Sequence, residues 1–141
     1  MIMVDADPAV VGERIRRRGY FCPVDGAVLA RWGHARVRFV RGVGRVHPFR
    51  MRCPVCGVTH VLLPDSCLLR RADSVALIGS GFELAASGLG YRQVAGVLGR
   101  PVDTVRGWLA RGRENLAAVA ALVAARIALL DPSVTLDVYA D

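Results

Sequence analysis

"CPVDG" at positions 22–26 and "CPVCG" at positions 53–57 repeat one frame, with Asp25 in the first copy where the second has Cys56. In a Cys-Pro-x-Cys-Gly turn two thiolates aim at one cation, and the glycine takes the left-handed backbone position that closes the turn. Two such turns supply four metal ligands, and three of them here are cysteines: Cys22, Cys53 and Cys56. Asp25 is the fourth by position, because a carboxylate oxygen also binds zinc. His60, four residues past Cys56, competes with it, as do His34, His47 and Cys67. Asp25-Gly26 also reads as a simple turn, and Cys67 as a small buried hydrophobe. The expected cofactor is one structural Zn2+.

Between the two turns the hydrophobic period changes to two. "ARVRFVR" alternates Arg36 and Arg38 with Val37 and Phe39, and "FRMR" alternates Arg50 and Arg52 with Phe49 and Met51. This is the pattern of half-buried strands with arginines outward. "THVLL" after the second turn supplies a third strand. Turn, hairpin, turn, strand is the order of a zinc ribbon, a fold too small to hold together without its metal. A thioredoxin-type reading of Cys53 and Cys56 fails on context, because Gly57 and a β-branched stretch follow where that motif opens a helix.

Upstream, Asp7 and Pro8 read as N-cap and first helical residue, with Val10, Val11 and Ile15 as the apolar face and Gly19 as the stop. Downstream, Asp73 or Ser74 caps a helix that carries Val75, Ile78, Phe82 and Ala85 to a stop at Gly88. "GYRQVAGVLGRPVDTVRGWLAR" then predicts a helix from Tyr91 to Leu98 with Val94, Val97 and Leu98 inward. Gly99 makes a turn, and a second helix starts at Pro101 with Val102, Val105 and Leu109 inward. That is the helix-turn-helix arrangement, whose second helix enters the DNA major groove. On a helical wheel Asp103, Thr104, Gly107 and Arg111 oppose the apolar stripe and Arg106 sits at its margin, so these are the candidate groove readers. Arg92 and Arg100 flank the helices where phosphate contacts fall. Trp108 beside Val105 belongs to the core. A further helix, Arg113 to Leu130, carries Leu116, Val119, Ala120, Val123, Ile127 and Leu130 on one stripe, fit to fold back or to form a homodimer. After Pro132, "SVTLDVYAD" reads as a short strand or a tail.

Composition bounds the function. Among 141 residues, 19 are basic and 12 acidic, a net charge of +7, and every basic residue is arginine. Guanidinium groups pair bidentately with phosphates and guanine edges, so a basic chain of this size points to nucleic acid. The longest apolar run is broken by Arg126 and is too short to cross a bilayer, and the N-terminus lacks the order of a secretory signal. The expected location is cytoplasmic and nucleoid-associated.

"CPVCGVTHVLLP", "RRADSVALIG" and "GYRQVAGVLGRPVDTVRGWL" together resemble an actinobacterial protein family that has a transposase-like zinc ribbon followed by a helix-turn-helix. The resemblance covers about residues 20–115. In that family the first knuckle usually reads CPxCG, so Asp25 stands where a zinc cysteine is expected. The resemblance implies DNA binding and no particular target site.

The expected class is therefore α+β: an N-terminal helix over 1–19, a zinc-ribbon-like β domain over 20–69, an all-α helix-turn-helix domain with a long C-terminal helix over 70–131, and a tail over 132–141. Neither a carboxylate trio for metal-dependent strand transfer nor a framed nucleophile–histidine pair is legible, so no enzyme is expected. The expected function is sequence-selective binding of double-stranded DNA, as a regulator or a transposase-derived module. The alternatives are an RNA- or ribosome-associated basic zinc protein, and a protein-interaction adaptor.

Overall fold

The computed structural model describes residues 1–131, so the strand or tail expected after Pro132 lies outside the described residues. The described residues are α+β, with a four-stranded mixed sheet, a separate two-stranded hairpin and four helices. It forms two compact units, Met1–Gly79 and a second beginning at Ser80.

In the first unit the sheet order is β1-β6-β5-β2. Strand β1 (Ile2–Val4) runs parallel to β6 (Thr59–Pro64), while β5 (Phe49–Arg52) is antiparallel to both β6 and β2 (Ala30–His34). Helix α1 (Pro8–Arg16) is capped as its sequence predicts, with the Ala9 N–H donating to the Asp7 carboxylate at 2.8 Å. Val11 joins Val4, Tyr20, Leu29, Met51 and Leu62 in one core with Cys22 and Cys53, so two candidate metal ligands are also core residues.

Several expected details differ. Strands β1 and β2 were not legible: β1 is three residues long, and β2 is exposed along most of its length and lacks alternation. The partner of β5 is β2 rather than the "ARVRFVR" stretch. That stretch gives only β3 (Arg38–Val40), which hairpins onto β4 (Gly44–Val46). Its phase is opposite to expectation: Val40 is buried, Phe39 is 66% exposed, and Arg38 is half-buried with Nη2 donating to the Leu68 carbonyl at 3.4 Å. The cause is tertiary. The backbone of Arg41 pairs with residues 72–74, which pulls Val40 into a small core with Val46, Leu63 and Cys67. Val10 is exposed, and α1 ends before Gly19, with Arg18 in the left-handed region at φ 54°.

Helix α2 (Val75–Ala86) is capped by Ser74, whose Oγ accepts from the Leu77 N–H at 3.1 Å. In the second unit α3 (Tyr91–Leu98) ends at Gly99, in the left-handed conformation with φ 59°. Its N–H and that of Arg100 bond back into α3. Helix α4 (Val102–Leu130) then runs unbroken for 29 residues, so the two helices expected over 101–112 and 113–130 are one. No proline interrupts it, and the helix formers around Gly107 and Gly112 absorb a glycine cost of ~1 kcal/mol each. Val94, Ala95, Val105, Trp108 and Leu109 are buried between α3 and α4 and their surroundings, whereas Val97 and Val102 are exposed. Phe82, expected in the core, is partly exposed, its ring lying against Gly112.

Candidate metal centre

The two repeated turns have the same backbone. In the first, Cys22 N–H donates to the Ala27 carbonyl at 2.8 Å and Gly26 N–H to the Cys22 carbonyl at 2.9 Å. In the second, Cys53 N–H donates to Val58 at 2.9 Å and Gly57 N–H to Cys53 at 3.1 Å. Gly26 and Gly57 sit at φ 72° and 73°, where a Cβ costs about 1 kcal/mol or more. Sheet register then brings the turns together. Cys53 follows the last residue of β5, Arg52, which pairs with both Thr59 of β6 and Ala30 of β2, so both turns emerge at one end of the sheet.

At that end a ligand atom from each of Cys22, Asp25, Cys53 and Cys56 lies within 4.8 Å of the other three. The Cys22 and Cys56 sulfurs are 3.7 Å apart, and the Cys53 sulfur is 3.2 and 3.4 Å from the two Asp25 oxygens. Tetrahedral zinc with Zn–S of ~2.3 Å requires ligand separations of about 3.8 Å, so the cluster has the dimensions for a single metal ion. Cys22 and Cys53 are buried on the core side, while Asp25 and Cys56 face solvent. The donor set, three thiolates and one carboxylate, suits a borderline-soft divalent cation.

Electrostatics ready the carboxylate. The Ala27 N–H donates to Asp25 Oδ1 at 3.0 Å, and that bond, reinforced by the Cys53 thiol, holds the Asp25 pKa down at about 2. Cys56 is the reverse case. The Val58 backbone N–H favours its thiolate, but desolvation and the company of Asp25, Cys53 and Cys22 outweigh it and push the thiol up to about 12. A bound cation removes that conflict by replacing shared protons with a divalent charge.

The competing ligands separate clearly. His60 is buried, with Nε2 3.7 Å from the Cys22 sulfur, but it stands outside the mutually close set of four. It is placed to donate an N–H to the Cys22 thiolate from behind. His34 and His47 instead stack on each other with ring centroids 4.4 Å apart, and Cys67 belongs to the core around Val40.

The expected nucleic-acid residues lie along α3 and α4. Arg92 is exposed beside the Tyr91 ring, and Arg100 is half-buried. Asp103 and Arg106 form an ion pair at 3.0 Å. Thr104 is half-buried, and the exposed Arg111 folds over Gly107, where a Cβ would meet its Nη2 at 3.3 Å. Ala110 is exposed on the same side, a position that sequence reading did not name. Also unforeseen is Trp32, 54% exposed with the Arg52 guanidinium 4.7 Å from its ring centroid. Trp32 lies on β2, an edge strand exposed along most of its length.

These features define a chain with a compact three-cysteine, one-aspartate cluster on a small sheet and a separate helical unit. Compared with family models, with curated proteins and with solved structures, it gives no match in any of the three. Among the described residues no helix is long and apolar enough to cross a membrane.

Proposed function

We propose that this chain binds double-stranded DNA sequence-selectively, through a helix-turn-helix formed by α3 and the first part of α4, and that a zinc ion at Cys22, Asp25, Cys53 and Cys56 holds a ribbon-like β unit. It acts by binding rather than by catalysis, as a regulator or a transposase-derived module. One observation carries the reading. Val94, Ala95, Val105, Trp108 and Leu109 are buried across a turn closed by left-handed Gly99, while Asp103, Arg106, Ala110 and Arg111 stand exposed on the other side of α4. A short helix, a tight turn and a second helix with an uncovered polar face are what major-groove docking needs. Arginine supplies bidentate donors for guanine edges and for phosphates, and the chain's net charge of +7, which lies in residues 1–79, favours a polyanion.

A second reading, binding of unpaired RNA, gains from one observation. Trp32 and Phe39, aromatic side chains of the kind that stack on bases, are exposed rather than in the core. The test is the affinity of the zinc-loaded chain for a pool of random duplexes and for single-stranded RNA of equal length, at one fixed salt concentration. Enrichment of a recurrent duplex sequence supports the first reading. Preference for the single strand moves the function to the second, and no binding to either leaves a protein-interaction role.

A further inference from the structure

We propose that the C-terminal half of α4 joins two copies of this chain as an antiparallel pair whose two-fold axis passes at Ala120. Every buried residue of α4 lies at or before Leu109. Beyond it the helix continues for about 30 Å at 1.5 Å per residue, with Leu116 65%, Val123 49% and Leu130 74% exposed. Between Leu116 and Leu130 the only charge is Arg126. A helix apolar around its circumference requires cover.

Two features make a second copy the cover. The first is the order of residues about Ala120. An antiparallel copy in that register sets Leu116 against Ala124, Ala117 against Val123 and Ala120 against itself. At 100° per residue these positions share one face, which Ile127 continues. Leu116 and Val123 thus each meet an alanine, so the two axes can approach closely at the centre of the pair, within the ~8–10 Å range for packed helices, while Ile127 lies against the aliphatic stem of Arg113.

The second feature is an apolar groove in the same unit, lined by Phe82, Ala85, Leu89, Leu109, Gly112 and Leu116. The register that centres on Ala120 carries Ile127 and Leu130 of the second copy over this groove, and the reverse contact follows by symmetry. The interface is therefore isologous and closed. A paired face of this length buries on the order of 1,200 Å² in total, the lower end for a stable interface.

This inference does not rest on the DNA-binding reading, and its test contains no nucleic acid. Sedimentation equilibrium of the zinc-loaded full chain, at about 1 to 200 μM, should show a monomer–dimer equilibrium. Ala120→Glu, a good helix former at a half-buried position, should weaken it at least tenfold with an unchanged circular dichroism spectrum. The register has its own readout. A mixture of L116C and A124C chains should form a disulfide-linked heterodimer on mild oxidation, while each variant alone behaves like the wild-type blank. A wild-type chain monomeric throughout overturns the proposal, and so does self-crosslinking of either single variant, which means a parallel pair. A full chain that stays monomeric while a chain ending at Asp131 dimerises assigns the face to residues 132–141 and overturns the proposal. A monomer that co-sediments with phosphatidylglycerol vesicles assigns it to lipid.

Discussion

The Asp25 carboxylate lies 3.2 Å from the Cys53 sulfur, across 28 positions of sequence, and occupies in the first turn the place that Cys56 occupies in the second. Identical backbone hydrogen bonding in the two turns makes this a substitution within a shared frame rather than a chance approach. The chain purified with zinc is therefore expected to hold about one ion. Asp25→Cys should raise zinc affinity by roughly tenfold or more, because thiolate is the softer donor. Elemental analysis and chelator competition measure both. An unchanged affinity would mean that Asp25 is no ligand and would turn attention to His60, the remaining neighbour.

His60 should behave as a supporting residue. Its Nε2 is 3.7 Å from the Cys22 sulfur, so His60→Gln is expected to weaken zinc binding about 10- to 100-fold, the usual cost of losing a partner that orients a ligand. Cys22→Ser should do much more, since it removes a ligand outright. Titration of both variants against a chromogenic chelator separates them; equal losses would place His60 in direct contact with the ion.

The pH dependence has opposite signs in the two states. In the metal-free chain Asp25 is held below its ordinary value of 3.8 to about 2, so its contribution to stability is present above pH 3.8 and fades as pH falls toward 2. Cys56, pushed from 9.0 to about 12, stabilises the metal-free fold as a thiol below pH 9 and loses that contribution as pH rises toward 12. Zinc demands the thiolate, so uptake releases protons and zinc affinity rises with pH across the neutral range. Calorimetry in buffers of different ionisation enthalpy counts the protons. Uptake without proton release would show that cysteine thiols do not ligate.

Two glycines in α4 should respond in opposite directions. A Cβ at Gly112 would drive into the Phe82 ring, so Gly112→Ala is expected to lower stability by about 1–3 kcal/mol. A Cβ at Gly107 meets only the mobile end of Arg111, so Gly107→Ala should raise stability by up to ~1 kcal/mol through helix propensity. Thermal denaturation of both variants provides the comparison. If Gly107 allows close approach of DNA, the same stabilised variant binds duplex less well.

Arg111→Ala should cost roughly 1–3 kcal/mol on a selected duplex and relax preference at some base positions, as loss of a bidentate base contact does. Arg92→Ala should weaken all duplexes alike and reduce the salt slope by ~0.9, as loss of one phosphate contact does. Anisotropy titrations over several salt concentrations measure slope and preference together. Equal, sequence-independent losses for both would put the reading face elsewhere on α4.

Local chemistry made parts of this molecule legible without coordinates. The two turns follow from proline, glycine and cysteine at fixed spacing. The caps at Asp7 and Ser74 follow from short oxygen-bearing side chains ahead of apolar periodicity, and the stop at Gly99 from the one residue type that takes φ 59° without strain. Each depends on neighbours within a few residues, which is the range over which sequence acts alone.

Tertiary structure decided the rest. Phe39 and Val40 exchanged faces because residues 72–74 pair with Arg41, a contact that no local pattern announces. Strand β2 displaced the expected partner of β5, since an edge strand exposed on both faces carries no alternation to read. The fourth member of the cysteine cluster was open among five residues in sequence. It became Asp25 when the register of β2, β5 and β6 set both turns at one end of the sheet, with His34 and His47 stacked on each other and Cys67 enclosed in another core. A single turn can present two ligands by its own geometry, but bringing two turns within 4.8 Å requires long-range strand pairing, which no segment read in isolation specifies.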